Sequence, residues 1–301
     1  MADRATVRVP ASSANLGPGF DVLALALDLH LEVRAVEASS TRVTWTGEGS
    51  AEIPLTSRNL IMRAAQEPFR GWARPLRGPA LTVKNEIPIG RGLGSSAAAI
   101  VAGISIGAKL RGLRLSRQRV LELGLSMEGH ADNLAAALFG GFCVVAGGDH
   151  GPRVHRLQWP SRWRAVVFVP GEQSSTHEAR RLVPARFARA DVVHNLGRVA
   201  EWVVAVSHAD PSLLAGAMED RLHQPARAGA YRYLHEMIDA AREAGALGAA
   251  LSGAGGSVIA IANRGYEAIG AAMARTAQLH HVAGTTVRLK ASRGGVAELA
   301  R

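Results

Sequence analysis

The sequence predicts an α+β protein built of two units, and three observations carry that reading. At 301 residues the chain is long enough for one large or two medium hydrophobic cores. Its first half alternates strand-like and helix-like segments around a glycine-rich loop. Its second half opens on a new apolar strand and closes on strand, helix and strand, a pattern complete in itself. The division falls near residue 150, at "GGDHGP", giving units 1–150 and 151–301.

In chain order, "ATVRVPA" and "LEVRAVE" alternate apolar and polar side chains with a period of two, as half-buried strands do, and "RVTWTG" follows them. "NLIMRAAQEPF" has helical spacing, and "ALTVKNE" is a strand that feeds the glycine loop. Helices are expected over 95–111 and 117–128, then a short one from Asp132 and the apolar strand "GGFCVVAG". In the second half "RAVVFVP" is a buried strand by its unbroken apolar run, and helices fill 177–244. "GAALSGAGGSVIAIA" reads as two strands around a turn, a helix covers 265–280, and "TTVRLKA" is the last strand. The chain has no repeat of 20 to 50 residues and no low-complexity tract.

Composition narrows the class. A hydrophobic content of 48% with 20% charged residues is that of a globular protein in water. The opening "MADRATVRVP" lacks the apolar stretch of a secretory signal. The longest uncharged run, Ala244 to Asn263, is broken by glycines and reads as strand, turn, strand rather than a membrane span. One cysteine, Cys143, excludes an intramolecular disulfide and a cysteine metal cluster. A cytoplasmic protein with no membrane partner is expected. The net charge of +10 invites a nucleic-acid reading, but the basic residues are scattered and only Lys84, Lys109 and Lys290 are lysines. An arginine-rich solvated surface accounts for the excess, and no nucleic-acid partner is expected.

The chemistry concentrates in four segments. In "PIGRGLGSSAAA" (Pro88–Ala99), Gly90, Gly92 and Gly94 permit left-handed backbone and close approach to a ligand, and Ser95 or Ser96 is placed to cap the helix that follows. A glycine loop ending at a helix N-terminus is an anion site, and a phosphate fits it. The alternative is a tight strand-to-helix turn without a ligand. Neither the G-x-x-x-x-G-K-[ST] loop nor the dinucleotide fingerprint matches. In "PASSANLGPGFDVLALAL" (Pro10–Leu27), Asn15 and Asp21 lie in a turn-rich break and are expected to be displayed rather than packed, serving either a ligand or their own turn.

"SMEGHADNLAAA" (Ser126–Ala137) sets Glu128 and Asp132 four residues apart, with His130 between and Asn133 beside them. Oxygen donors of this kind suit Mg²⁺, which takes one or two carboxylates together with substrate phosphates. Asp132 is equally placed to cap the next helix, and no second His or Cys supports zinc. Lastly, "SSTHEARR" (Ser174–Arg181) puts Arg180 one helical turn after Thr176, and "HQPARAG" places Arg227 just beyond Pro225. Two forked guanidinium groups suit a carboxylate; the alternative is two surface arginines among many.

Taken together, "PASSANLGPGFD", "PIGRGLGSSAA", "EGHADN", "STHEARR" and "LSGAGGS" resemble, in order and over nearly the whole chain, the homoserine kinases of the GHMP small-molecule kinase superfamily. The resemblance implies the two-domain GHMP-kinase fold, with an N-terminal ribosomal-protein-like α/β domain and a ferredoxin-like C-terminal domain. It implies ATP- and Mg²⁺-dependent phosphorylation of the side-chain hydroxyl of L-homoserine, a step toward threonine. By this resemblance Pro88, Ile89, Gly90, Arg91, Gly92, Leu93, Gly94, Ser95 and Ser96 form the phosphate loop. Ser96 and Glu128 match the Mg²⁺ positions, and Asn59 in "RNLIMRAA" falls near the nucleoside. Arg180 and Arg227 would meet the substrate carboxylate. Asn15, Asp21, His130, Asp132 and Thr176 would surround its amino and hydroxyl ends.

The chain departs from the family where Ala131 and Ala136 replace prolines, and where "GAGGS" at Gly253–Ser257 replaces "GSGPS". Ala254 removes a hydroxyl, and Gly256 is expected to loosen a turn. Asp21 is the candidate to orient or accept the hydroxyl proton. An isolated aspartate, with an ordinary pKa of about 4, is a weak base at pH 7, which favours orientation. Three other functions stay open on sequence: a GHMP-type kinase for another small hydroxylated acid, a basic nucleic-acid binder, and a silent nucleotide sensor, against which the intact Ser96, Glu128 and Asp21 speak. Oligomeric state is left open, with a homodimer among the options.

Overall fold

Two sheets, each covered by helices, meet along a shared seam in the computed structural model, which describes residues 4–71, 78–148 and 151–299. The first sheet takes β1 (Arg4–Asn15), β2 (Gly19–Val36), β3 (Arg42–Gly47), β4 (Ala80–Asn85), β5 (Phe142–Ala146) and β6 (Arg153–Leu157). Its helices are α1 (Leu60–Gln66), α2 (Ser95–Leu110), α3 (Arg117–Glu128) and α4 (Asp132–Phe139). The second sheet takes β7 (Arg164–Pro170), β8 (Gly248–Leu251), β9 (Val258–Ala262) and β10 (Gly284–Leu289). Between β7 and β8 run α5 (Thr176–Arg181), α6 (Arg189–His208), α7 (Leu214–Ala217), α8 (Gln224–Arg227) and α9 (Leu234–Glu243). After β9 comes α10 (Tyr266–Leu279), and β11 (Ala297–Glu298) ends the fold.

The expected elements form, and the pairings explain why. Val7, Val9, Ala11, Leu31 and Val33 sit at alternating positions of β1 and β2 and are buried, so the period-two pattern becomes the inner face of an antiparallel pair. β3 and β4 run parallel, with α1 in the crossover between them. In the second sheet the antiparallel order is β10-β7-β9-β8, with helices after its first and third strands. That is the ferredoxin-like arrangement the resemblance implies.

Sheet membership revises the expected division. Asp149 and His150 lie outside the described residues, but β6, beyond them, pairs with β5 in the first sheet. The second sheet begins only at Arg164, and β11 returns to pair with β1. Strand pairing therefore sets the changeover between Leu157 and Arg164, and the chain end crosses back to the first unit. The core is continuous across the seam, with Trp202 of α6 fully buried and stacked on Phe142 of β5 at 5.4 Å.

The sharpest local feature is the turn between β1 and β2. Asn15, Leu16 and Gly17 have φ of 68°, 49° and 86°, three successive left-handed residues of which only one is glycine. Such a turn persists when its surroundings over-determine it. Three successive carbonyls are held from the second unit: Leu16 by Trp202 Nε1 at 3.0 Å, Gly17 by His223 Nε2 at 2.7 Å, and Pro18 by Asn195 Nδ2 at 3.1 Å. A Cβ on Gly17 would stand 2.3 Å from the Met218 carbonyl oxygen. The turn is thus a rivet between the units.

Candidate active site

In the glycine loop between β4 and α2 the carbonyls are engaged elsewhere in the protein. The Ile89 carbonyl accepts from Arg91 Nη1, that of Gly90 from the Ser174 N–H, that of Gly92 from Ser252 Oγ and that of Leu93 from the Ser12 N–H. The N–H groups of the first turn of α2 have no intrahelical acceptor, an arrangement that suits an anion. Gly92 and Gly94 are left-handed, and a Cβ on them would stand 2.2 Å from the Ser252 carbonyl oxygen and 2.0 Å from Ser12 Oγ. The glycines are therefore required by both conformation and space. Neither Ser95 nor Ser96 caps α2, contrary to expectation. Gly94 is the cap residue, and the Ser96 hydroxyl instead donates to Glu128 Oε2 at 2.7 Å.

One cavity gathers this loop with most of the expected residues. Gly90 to Ser96, Asn15, Glu128, His130, Asp132, Thr176, Arg180 and Arg227 all line it, joined by Asn133, Gly253 and Ala254. It is small, about 80 Å³, and larger clefts, of up to about 810 Å³, lie elsewhere. Convergent chemistry rather than volume selects it: an amide cradle, a hydroxyl–carboxylate pair and two guanidinium groups share one space.

The acidic side of the cavity is ordered by His130. Its Nδ1 lies 2.8 Å from Asp132 Oδ1 and its Nε2 3.6 Å from Glu128 Oε1. Burial opposes protonation of this ring, but the Asp132 hydrogen bond and charge, aided by Glu128, raise its pKa above the ordinary value. Asp132 is the first residue of α4 and does not serve as its cap; its Oδ1 accepts the Asn133 N–H at 2.7 Å.

The basic side differs from expectation in three ways. Asn15 is buried, not displayed: its Nδ2 donates to the Gly253 carbonyl at 2.9 Å and its Oδ1 accepts the Asp21 N–H at 3.1 Å. Asp21 does not line the cavity, because its carboxylate forms a two-pronged pair with Arg180. Arg227, expected beside Arg180 as an equal partner, is fully buried and already bonded to the Ala179 and Gly253 carbonyls and to His223 Nδ1. Both guanidinium carbons lie 5.4 Å from the centroid of the Phe20 ring, which seats them.

On the nucleotide side, some of the expected positions lie off this cavity. Pro88 and Ile89 fall outside the cavity lining, and the Arg91 side chain points away, donating to the Pro170 and Gly171 carbonyls. Asn59 is absent from the lining. It is buried as the cap of α1, with Oδ1 accepting the Ile61 N–H and Nδ2 donating to the Pro54 carbonyl. A capping asparagine is what a helix start demands, and Asn59 meets that demand.

Comparison with known proteins places the whole chain in a family. Residues 59–141 match the GHMP kinases N terminal domain and residues 202–278 the GHMP kinases C terminal domain. The homoserine kinase of Moorella thermoacetica is 42% identical over 270 residues, covering 89% of this chain and 90% of that protein. The homoserine kinase of Thermus thermophilus is 43% identical over 268 residues, covering 86% and 87%. The chain belongs to the homoserine kinase family of GHMP kinases. A crystal structure of homoserine kinase from Cytophaga hutchinsonii superposes with a TM-score of 0.86 at 28% identity, covering 99% of this chain and 98% of that one. A mevalonate kinase structure from L. major, with a TM-score of 0.65 at 20% identity, shares the fold.

Within this family frame, residues that sequence reasoning passed over become visible. Asp220 accepts the N–H groups of Leu222, His223 and Gln224 and the Asn195 amide, anchoring the segment that carries His223 and Arg227. The turn at Gly253–Gly256 is pinned rather than loose: the Tyr231 hydroxyl donates to the Ala254 carbonyl at 2.8 Å and that of Tyr233 to the Gly256 carbonyl at 2.6 Å. A Cβ on Gly256 would meet Tyr233 Oη at 2.5 Å, so the glycine makes room for the strap. Ala136 packs in an all-alanine contact with Ala14, Ala24 and Ala26, where close approach of α4 to the sheet favours a small side chain.

His223 carries a pH prediction. Burial holds its pKa below the ordinary value although Asp220 opposes this, and the neutral ring donates from Nε2 and accepts at Nδ1. A depressed folded-state pKa gives stability that is present above the unfolded value of about 6.5 and is lost as pH falls from there through the folded value. Melting temperature is therefore expected to drop between pH 7.5 and 5, and to drop less in His223→Gln, which keeps one donor and one acceptor. Parallel melting curves for the two proteins would contradict the assignment.

Proposed function

We infer that the chain transfers the γ-phosphoryl group of ATP to the side-chain hydroxyl of L-homoserine, giving O-phospho-L-homoserine. The observation that carries this reading is the meeting of the amide cradle and the forked donors of Arg180 in one cavity, in a chain that matches homoserine kinases along most of its length. Phosphoryl transfer needs positioning and charge stabilisation more than covalent help. The loop N–H groups hold phosphate oxygens, Arg180 takes the substrate carboxylate, and Asp21 orients the reacting hydroxyl. His130, Asp132 and Thr176 border the same cavity and complete the amino-acid subsite. Asn15 positions Asp21 and the Gly253 turn.

Mg²⁺ belongs to the reading. Ser96 Oγ and the Glu128 carboxylate, 2.7 Å apart at the start of α2, offer the oxygen donors it takes. Among the described residues no cluster of three or more His, Cys, Asp or Glu could hold a metal. When bound, Mg²⁺ supplies charge neutralisation across the phosphates. The reading also places the protein in the cytoplasm, where ATP is plentiful and the buried Cys143, its thiol pKa pushed up to about 12, stays a reduced packing group.

An ADP-release assay over a substrate panel tests the proposal. Turnover is expected to require Mg²⁺ and L-homoserine, with L-serine and mevalonate far poorer. Equal turnover of mevalonate, or none with homoserine, would overturn it. One related reading, a kinase for another small hydroxylated acid, predicts a different best substrate in the same panel.

A further inference from the structure

The ligand-free site contains a carboxylate already seated on the arginine that reads carboxylates. Arg180 Nη1 donates to Asp21 Oδ2 at 3.1 Å and Nη2 donates to Asp21 Oδ1, the two-pronged geometry with which a guanidinium grips any carboxylate. The pair is incomplete in one respect: Arg180 Nε is buried and has no hydrogen-bond partner among the described residues. Burying a donor unsatisfied is costly, and a ligand oxygen reaching it would remove that cost. The pair is also about a third exposed, at 32% and 36%, so it is only weakly held against competition.

Arg227 offers a contrast that shows which arginine is free to change partners. Its guanidinium is committed to two carbonyls and a neutral imidazole, all buried. Among the described residues Arg180 hydrogen-bonds to Asp21 alone, while the Phe20 face beneath it holds the guanidinium whichever carboxylate it binds. Asp21 itself sits on a left-handed backbone, φ 59°, with its N–H tied to Asn15, so its main chain stays put while its side chain can turn.

We propose that Asp21 is an internal stand-in for the substrate carboxylate, and that the substrate exchanges with it on Arg180. This rests on the kinase reading and adds a source of specificity. An amino acid's carboxylate displaces Asp21 from Arg180, and the freed Asp21 carboxylate then turns to the side-chain hydroxyl. Carboxylate recognition and hydroxyl orientation become one event, as in induced fit. An amino alcohol lacks the displacing group and leaves Asp21 locked, so its deficit falls on kcat as well as on KM.

The test uses L-2-aminobutyrate, which is homoserine without the hydroxyl, and the amino alcohol 2-amino-1-butanol, in calorimetric titrations of the full chain. Asp21→Asn and Asp21→Gly both tolerate left-handed backbone, so each is expected to fold. Removing the internal competitor is expected to tighten L-2-aminobutyrate binding about threefold to tenfold in both variants, with no gain for the amino alcohol. A residue that only supported the fold, or only gripped the ligand, would weaken binding of both. Equal or weaker binding of L-2-aminobutyrate in the variants, while the wild type still phosphorylates homoserine, overturns the exchange and leaves the kinase reading intact. A wild type that neither phosphorylates homoserine nor binds L-2-aminobutyrate overturns both.

Discussion

Glu128→Gln is expected to lower kcat by about a hundred- to a thousandfold, the usual consequence of deleting one group that stabilises transition-state charge. The substitution is close to isosteric. Its amide oxygen still accepts the Ser96 hydroxyl that now reaches Glu128 at 2.7 Å, and His130 keeps Asp132 at 2.8 Å. Packing is therefore preserved while the negative charge is lost, and the melting temperature should stay within a few degrees of wild type. Ser96→Ala should cost less, because a neutral donor is lost and the carboxylate remains. Titrating Mg²⁺ at saturating substrates checks both variants. An unchanged Mg²⁺ dependence in Glu128→Gln would remove that residue from the metal site.

The two arginines should behave differently from each other. Arg180→Ala removes charge-assisted hydrogen bonds to the substrate carboxylate, a loss of about 1.5–3 kcal/mol or roughly ten- to a hundredfold in kcat/KM. Arg180→Lys keeps the charge without the fork and should recover part of that. The control is homoserinol, which has the hydroxyl and the amine but no carboxylate. Wild type should use it poorly, and Arg180→Ala should lower its kcat/KM far less than that of homoserine. The two losses should be non-additive, because the interaction needs both partners. Equal losses on both substrates would show that Arg180 does not read the carboxylate.

Arg227→Ala should fail for a different reason. It strands the Ala179 and Gly253 carbonyls and His223 Nδ1 in a buried setting, at about 1–3 kcal/mol for each unsatisfied group. Its melting temperature should fall together with its activity, whereas that of Arg180→Ala should not. Thermal melts of the two variants side by side separate the roles.

What was legible in the sequence was local. The glycine loop could be read because left-handed glycines followed by alanines admit few structures, and α2 begins one residue after Gly94. Glu128 and Asp132 could be read because they flank one helix junction. What escaped depended on contacts between distant segments. Asn15 looked displayed because its neighbours favour turns, yet it is buried against Gly253, 238 residues away. Arg227 looked like the twin of Arg180 because residue type carries no information about burial. Phe20, His223 and Asp220 carried no signal of their own, since their roles arise only where the β1–β2 turn meets α6 and α8. Asn59 has a second side to it: the motif position was legible, whereas its role as the cap of α1 was not.

The central claim is that this site moves a phosphoryl group onto the homoserine hydroxyl, and phosphorus NMR of the reaction mixture tests it most directly. With ATP, Mg²⁺ and L-homoserine present, the γ-phosphate signal should be replaced one for one by a phosphomonoester whose phosphorus couples to the side-chain methylene protons of homoserine. Conversion of ATP to ADP with only inorganic phosphate appearing, or a phosphomonoester on any other acceptor in that mixture, would contradict it.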